Sequence, residues 1–280
     1  MNVSRWTRRL AIGSTAALLA LTAGCGSSGP GKTDSSSSST PSSSETSSPS
    51  SSSTASTPAE PTNLTASDIG KKLTAAQKRA GSYAFQVTTT LSGQTIKGSG
   101  EASVKGAKPE VHTTMDIGGG SVEVVLIDGF IYLKSPMFKT DKPWLKIDPK
   151  AKTGMGALFG QLGGASDPSQ NLAAMFNASK VTRAGSEKVG DVDTTHYTVV
   201  LPRAALANAL NYPPEVVRLL PPKLTYGVWV DADDLVRKFA STLQVQNQKS
   251  TTVVTFDKYG EPVSISAPPA GQITTKSPIG

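Results

Sequence analysis

From Tyr83 onward the apolar residues of this chain fall on every second position, in stretches separated by connections too short for anything but antiparallel pairing. Tyr83, Phe85, Val87, Thr89 and Leu91 alternate with Ala84, Gln86, Thr88 and Thr90, the period of a strand with one buried face. Further strands are predicted at residues 95–104, 110–117, 121–127 and 130–134. The last two meet at Asp128-Gly129, a pair that favours the positive φ angles of a two-residue hairpin. A parallel crossover needs a dozen or more residues, so these strands form an antiparallel meander. A short strand at 144–147 extends it.

Elsewhere the period changes. Thr65-Ala66-Ser67-Asp68 can cap a helix, and Ile69, Leu73, Ala76 and Ala80 follow on one helical face until Gly81 stops it. Residues 155–162 and 168–177 read as short helices, separated by Gly163-Gly164 and Pro168. Strand character returns at 180–185 and 193–201. A second helical insert covers 202–220, broken at Pro213-Pro214. Strands at 224–230, 235–248 and 250–266, the last bent at Tyr259-Gly260, finish the chain. About ten strands, a leading helix and two helical inserts make an α+β fold with one large antiparallel sheet that curls. Periodicity leaves two readings of the inserts open: their leucines and methionines complete a solid core, or they cover the concave face incompletely and leave an apolar cavity.

The N-terminus is of a different kind. Arg5, Arg8 and Arg9 precede an apolar run at 10–22 of about 13 residues, the length of a signal h-region and short for a membrane span. Thr22-Ala23-Gly24-Cys25 follows. Small residues before a cysteine resemble the bacterial lipoprotein signal, although Thr22 stands where a leucine is usual. The resemblance implies that residues 1–24 are removed and that Cys25 carries acyl chains such as palmitate. Two buried chains hold a protein at a membrane where one binds only reversibly. Residues 25–63 are rich in Ser, Thr and Pro with almost no aliphatic residue, so nothing offsets the entropy of ordering them. They are expected to be a flexible tether with ends about 35 Å apart. Residues 64–280 are then one domain, large enough to bury about 70% of the surface its unfolded chain exposes.

Composition narrows the function classes. The net charge of +7 is small, partly carried by the signal arginines, and scattered, which argues against nucleic acid as a partner. One cysteine and two histidines, His112 and His196, leave little for a metal centre or general-base catalysis. His196 sits out of phase with the inward set Thr195, Tyr197, Val199 and Leu201, and so points outward. Asp231, Asp233 and Asp234 lack the ligand spacing of a calcium loop and read as an acidic hairpin turn. Gly118-Gly119-Gly120 lacks the Lys-Ser/Thr and helix of a phosphate loop. Trp144 and Trp229 read as core. Arg237 shares parity with Leu235, Phe239 and Leu243, placing a cation at the start of an apolar face, either at a cavity mouth or snorkelling past the sheet edge.

Three segments carry a family resemblance: Gly190-Asp191-Val192-Asp193-Thr194-Thr195-His196-Tyr197; Tyr226-Gly227-Val228-Trp229-Val230-Asp231 followed by Leu235-Val236-Arg237-Lys238; and Thr255-Phe256-Asp257-Lys258-Tyr259-Gly260-Glu261-Pro262-Val263 with Pro268 behind it. Together they resemble the LppX/LprAFG lipoproteins of actinobacteria, over residues 64–269. That resemblance implies a LolA- and LolB-like half-open β-barrel, with helices over a concave face whose cavity takes up acyl chains. The cavity candidates are Phe85, Val87, Met115, Val124, Leu126, Tyr132, Met155, Leu158, Phe159, Leu172, Met175, Phe176, Leu206, Leu210, Leu219 and Phe239. The expected protein is a monomeric lipid carrier with no cofactor and no catalytic residue. It sits on the extracytoplasmic face of the cell membrane, held by Cys25, and its partners are lipid or glycolipid acyl chains. An envelope sensor or regulator acting through protein contacts on the same fold is the alternative. Changing Cys25 to Ala is expected to abolish acylation and release the protein. Retention of that variant on membranes washed with high salt contradicts the anchor.

Overall fold

The computed structural model describes residues 63–91, 93–117, 120–153, 155–156, 179–210, 217–218, 220–245 and 248–276. The signal segment, Cys25 and the tether lie outside the described residues. Helix α1, Ile69–Ala80, starts where the sequence signals it. The Thr65 N–H donates to Asp68 Oδ1 at 2.7 Å and the Ile69 N–H to Thr65 O at 2.9 Å, one half of a capping box. It ends at Gly81, left-handed at φ 78°, a conformation only glycine adopts without strain. Ile69, Leu73 and Ala76 are buried. Each large side chain so buried contributes about 1.5–3 kcal/mol.

The strands are β1 Ser82–Leu91, β2 Gln94–Ser103, β3 Glu110–Ile117, β4 Gly120–Ile127, β5 Phe130–Lys134, β6 Trp144–Ile147, β7 Lys180–Val189, β8 Val192–Pro202, β9 Lys223–Val230, β10 Val236–Val245, β11 Gln248–Asp257 and β12 Ile273–Thr274. Helix α2, Arg203–Leu210, lies between β8 and β9. Among the described residues the 12 strands form one open, curved sheet in the order β12-β6-β5-β4-β3-β2-β1-β11-β10-β9-β8-β7. Every pairing is antiparallel except β12 with β6. Two meanders, β1–β6 and β7–β11, meet through the central β1·β11 pair.

Asp128 and Gly129 both have positive φ, at 56° and 82°, and set Ile127 opposite Phe130. The hairpin is the one the sequence signals. Beyond β11 the structure corrects the expectation of a strand running to residue 266. The strand ends at Asp257, because Lys258 and Gly260 take positive φ values of 49° and 79° and the Gly260 N–H turns back to Ser82 O at 2.9 Å. The chain then places Ile265 and Ile273 against Val125, Tyr132 and Trp144. Those three residues lie on one face of the sheet, called the outer face below.

The opposite, inner face holds the main core. Tyr83, Phe85, Val87, Tyr197, Val228, Val254 and Phe256 pack there with Leu64, Ile69 and Leu73. The Tyr83 ring lies 5.8 Å from Phe256 and 5.7 Å from Tyr259, pairs worth about 0.5–1.5 kcal/mol each beyond their buried area. Strand β2 contributes Gly98 and Gly100 to this face. A Cβ on Gly100 would sit 2.5 Å from the Phe85 ring and 2.4 Å from the His112 carbonyl oxygen, so the glycine lets the ring cross the strand. Gly100→Ala is expected to lower unfolding free energy by about 1–3 kcal/mol. Gly271→Ala, with open space around it, should change it little. Equal urea midpoints for the two variants contradict this packing.

Candidate ligand-binding face

Residues directly opposite one another across a ladder share a face, so the pairings trace the inner surface from strand to strand. One row runs Val228, Phe239, Val254, Val87, Gly98, Met115, Val122. A second runs Phe256, Phe85, Gly100, Thr113, Val124, Leu133, Leu145. A third joins Tyr83, Ala102, Val111, Leu126, Ile131 and Ile147. The cavity candidates Phe85, Val87, Met115, Val124, Leu126 and Phe239 therefore lie on one face. Met155 joins it by packing with Val122, Leu133, Leu145 and Ile147. From α2, Leu206 packs on Leu201 and Leu224 at the far end of β8 and β9.

Tyr132 does not lie there. It stands opposite Val125 and Lys146, and is buried on the outer face with Trp144 under the C-terminal segment. The two-residue turn puts Leu126 against Ile131, and a one-residue step in a strand reverses the face. Ile131 and Leu133 take the place expected of Tyr132, and counting back from the Asp128-Gly129 turn would have found them. Leu158, Phe159, Leu172, Met175, Phe176 and Leu219 lie outside the described residues, as does the Leu210 side chain. So do most residues of the two helices expected at 155–162 and 168–177.

Among the described residues the inner face is only partly buried. Met115, Val124, Leu126, Ile131, Tyr226 and Phe239 are only half-buried, although each stands among buried apolar neighbours. A row of hydroxyls interrupts the apolar surface in the middle strands. Thr89 Oγ1 and Thr252 Oγ1 are 3.1 Å apart and buried, with Ser241 opposite Thr252.

The charged groups are elsewhere. His196 points outward, as its phase predicts, and stacks on Trp229 at 4.1 Å with the rings 3° from parallel. Lys238 Nζ lies 4.0 Å from the Trp229 ring centre, and the Trp229 indole N–H donates to Glu187. Trp229 is thus buried on the outer face, as is Trp144. Partial burial pushes the His196 pKa down, the Glu187 carboxylate opposes this and Lys238 reinforces it. His112 Nε2 lies 3.0 Å from Glu123 Oε1. Arg237 sits at a bulge between Val236 and Lys238, and its Nε donates to Asp231 Oδ2 at 2.6 Å. Its guanidinium also lies 5.0 Å from the Tyr259 ring, whose buried phenol is pushed well above its usual pKa and donates to Val236 O at 2.6 Å. The acidic turn is a turn in fact: Asp231 Oδ1 accepts the N–H groups of Asp233 and Leu235 at 2.9 Å. Among the described residues no group of three or more His, Cys, Asp or Glu gathers to hold a metal.

No family model matches this chain, and no curated protein matches it. Solved structures do. LprF from Mycobacterium bovis is 13% identical, with 72% of this chain and 96% of that one covered and a TM-score of 0.45. The Mycobacterium tuberculosis lipoprotein LppX is 14% identical, with 72% and 98% covered and a TM-score of 0.46. The Pseudomonas aeruginosa MucA/MucB complex matches at 14% identity, with 74% and 59% covered and a TM-score of 0.39. LprF and LppX are of the lipoprotein group that the three sequence segments resemble.

Because the folded His196 titrates below its unfolded value, the unfolded state binds more protons on acidification and stability rises with pH through that window. The wild-type urea midpoint is expected to fall between pH 7.5 and pH 5.5 by more than that of His196→Gln. An identical fall in both contradicts the stacking geometry.

Proposed function

We propose that this chain is an envelope lipoprotein that takes up the acyl chains of a lipid on the inner face of its sheet, between that face and the segments that cross it, and carries or presents them. The observation that supports this most is the half-burial of Met115, Val124, Leu126, Ile131 and Phe239 in the middle of an apolar face that spans both meanders. A face that served only as core would bury these residues as completely as Tyr83 or Val254. Acyl chains gain about 0.8 kcal/mol for each buried methylene, and among the described residues the charges on this side of the sheet, Arg183, Lys188 and Asp193, stand exposed on the edge hairpin of β7 and β8.

In this reading the sheet is the wall of a half-open barrel, and the segments expected from the sequence to be helical would form its cover. The chain acts by binding rather than by catalysis, since both histidines serve contacts on the outer face. Cys25 would hold the protein at the extracytoplasmic face of the membrane. Among the described residues no helix is long and apolar enough to cross it.

Residues 64–280, purified without the acylated cysteine and extracted with organic solvent, are expected to yield lipid by mass spectrometry. Filling the face with Val124→Trp should lower that yield several-fold with little change in thermal midpoint. Gly156→Trp is unsuitable for the same test. A Cβ there would lie 2.3 Å from the Asp148 carbonyl oxygen, so the site is packed against backbone. Absence of lipid in the extract, together with no uptake of a fluorescent fatty-acyl probe, overturns the carrier reading and leaves the protein-contact alternative.

A further inference from the structure

The loop joining β5 to β6, residues 135–143, exposes Met137 to 66%, while its neighbour Phe138 turns inward and packs with the inner-face group of Val122, Leu133, Leu145 and Ile147. The loop has a defined shape. The Met137 N–H donates to Ser135 Oγ at 3.2 Å, the Phe138 N–H to Ser135 O at 3.4 Å, and Thr140 Oγ1 to Lys142 O at 2.6 Å. An apolar side chain is therefore held out in water by a loop anchored beneath it.

The charge around it is mainly positive. Lys134, Lys139 and Lys142 stand at the start of the loop and within it, and the C-terminal segment brings Lys276 beside it. Two of these are paired: Lys134 Nζ lies 3.4 Å from Glu123 Oε2, and Lys276 Nζ 3.7 Å from Asp141 Oδ2. Lys139 projects into solvent and Lys142 is half-exposed.

We propose that this end of the sheet docks on an anionic lipid bilayer, with Met137 entering the headgroup region and the lysines lying against the charged surface. A single exposed apolar residue among cations suits a membrane interface, which rewards apolar insertion and positive charge together. A protein partner would call for a broader contiguous apolar patch. Phe138 ties the loop to the inner face, so docking brings that face to the bilayer. The site is distinct from the acyl-binding face and stands or falls separately.

The test uses the chain from residue 25 with Cys25→Ala, so that no acyl anchor contributes, mixed with phosphatidylcholine vesicles with or without phosphatidylglycerol. Sedimentation with the anionic vesicles alone is expected, and it should weaken as salt rises. A lysine near an anionic surface strengthens binding about fivefold, so Lys139→Glu/Lys142→Glu should weaken it at least about tenfold, and Met137→Ser should weaken it independently. Lys139→Gln, a milder surface change whose fold is checked by circular dichroism, should give a smaller loss in the same direction. Uptake of a monomeric fluorescent fatty acid from solution should be unchanged in every loop variant. No sedimentation of the parent chain, or sedimentation indifferent to the lysines and to Met137, overturns the proposal. Vesicle binding that persists in a chain taking up no fatty acid supports the docking loop and removes only the carrier reading.

Discussion

The pairing of β1 with β11 holds the molecule together. It joins Phe85 to Phe256, Val87 to Val254 and Thr89 to Thr252, residues far apart in sequence, and without it the two meanders would be separate sheets with exposed central edges. Everything else refers to that seam. Helix α1 packs on its inner side through Ile69 and Leu73, and the Gly260 turn after β11 hydrogen-bonds back to the first residue of β1. Such non-local contacts repay their loop-closure cost only when both halves are present, so the domain is expected to fold as one unit.

A sheet this wide has two faces to account for, and the chain treats them differently. The outer face is closed locally, by the C-terminal segment over Tyr132 and Trp144 on one half and by the Glu187, Trp229, His196 and Lys238 stack on the other. On the inner face, α1 and α2 close the two ends of the strands, while large apolar residues in the β3–β5 and β9–β10 region stay half-buried. The histidine stack and its neighbouring charges lie on the outside, and the middle of the inside is left to apolar contact and a few hydroxyls.

Much of this was legible in the sequence for a physical reason. Period-two alternation and an Asp-Gly turn report local backbone geometry, which is why β3, β5 and β6 match their expected spans and His196 faces outward. Features set by distant contacts were not legible. Nothing local announces that β11 returns to β1, that a bulge at Arg237 hands the cation to Asp231, or that the chain after Gly260 leaves the sheet to cover Tyr132. The register from the hairpin turn, which sets Tyr132 opposite Val125, places it on the outer face. The exposed Met137 had no periodic signal because a loop has no period.

Photolabelling with a diazirine-bearing fatty acid, followed by peptide mapping, tests most directly whether the inner face is the ligand face. Label is expected on Met115, Val124, Leu133 and Phe239, with none on Val125, Tyr132 or Trp229 directly behind them. Label on the outer-face residues, or spread evenly over both faces, contradicts the assignment.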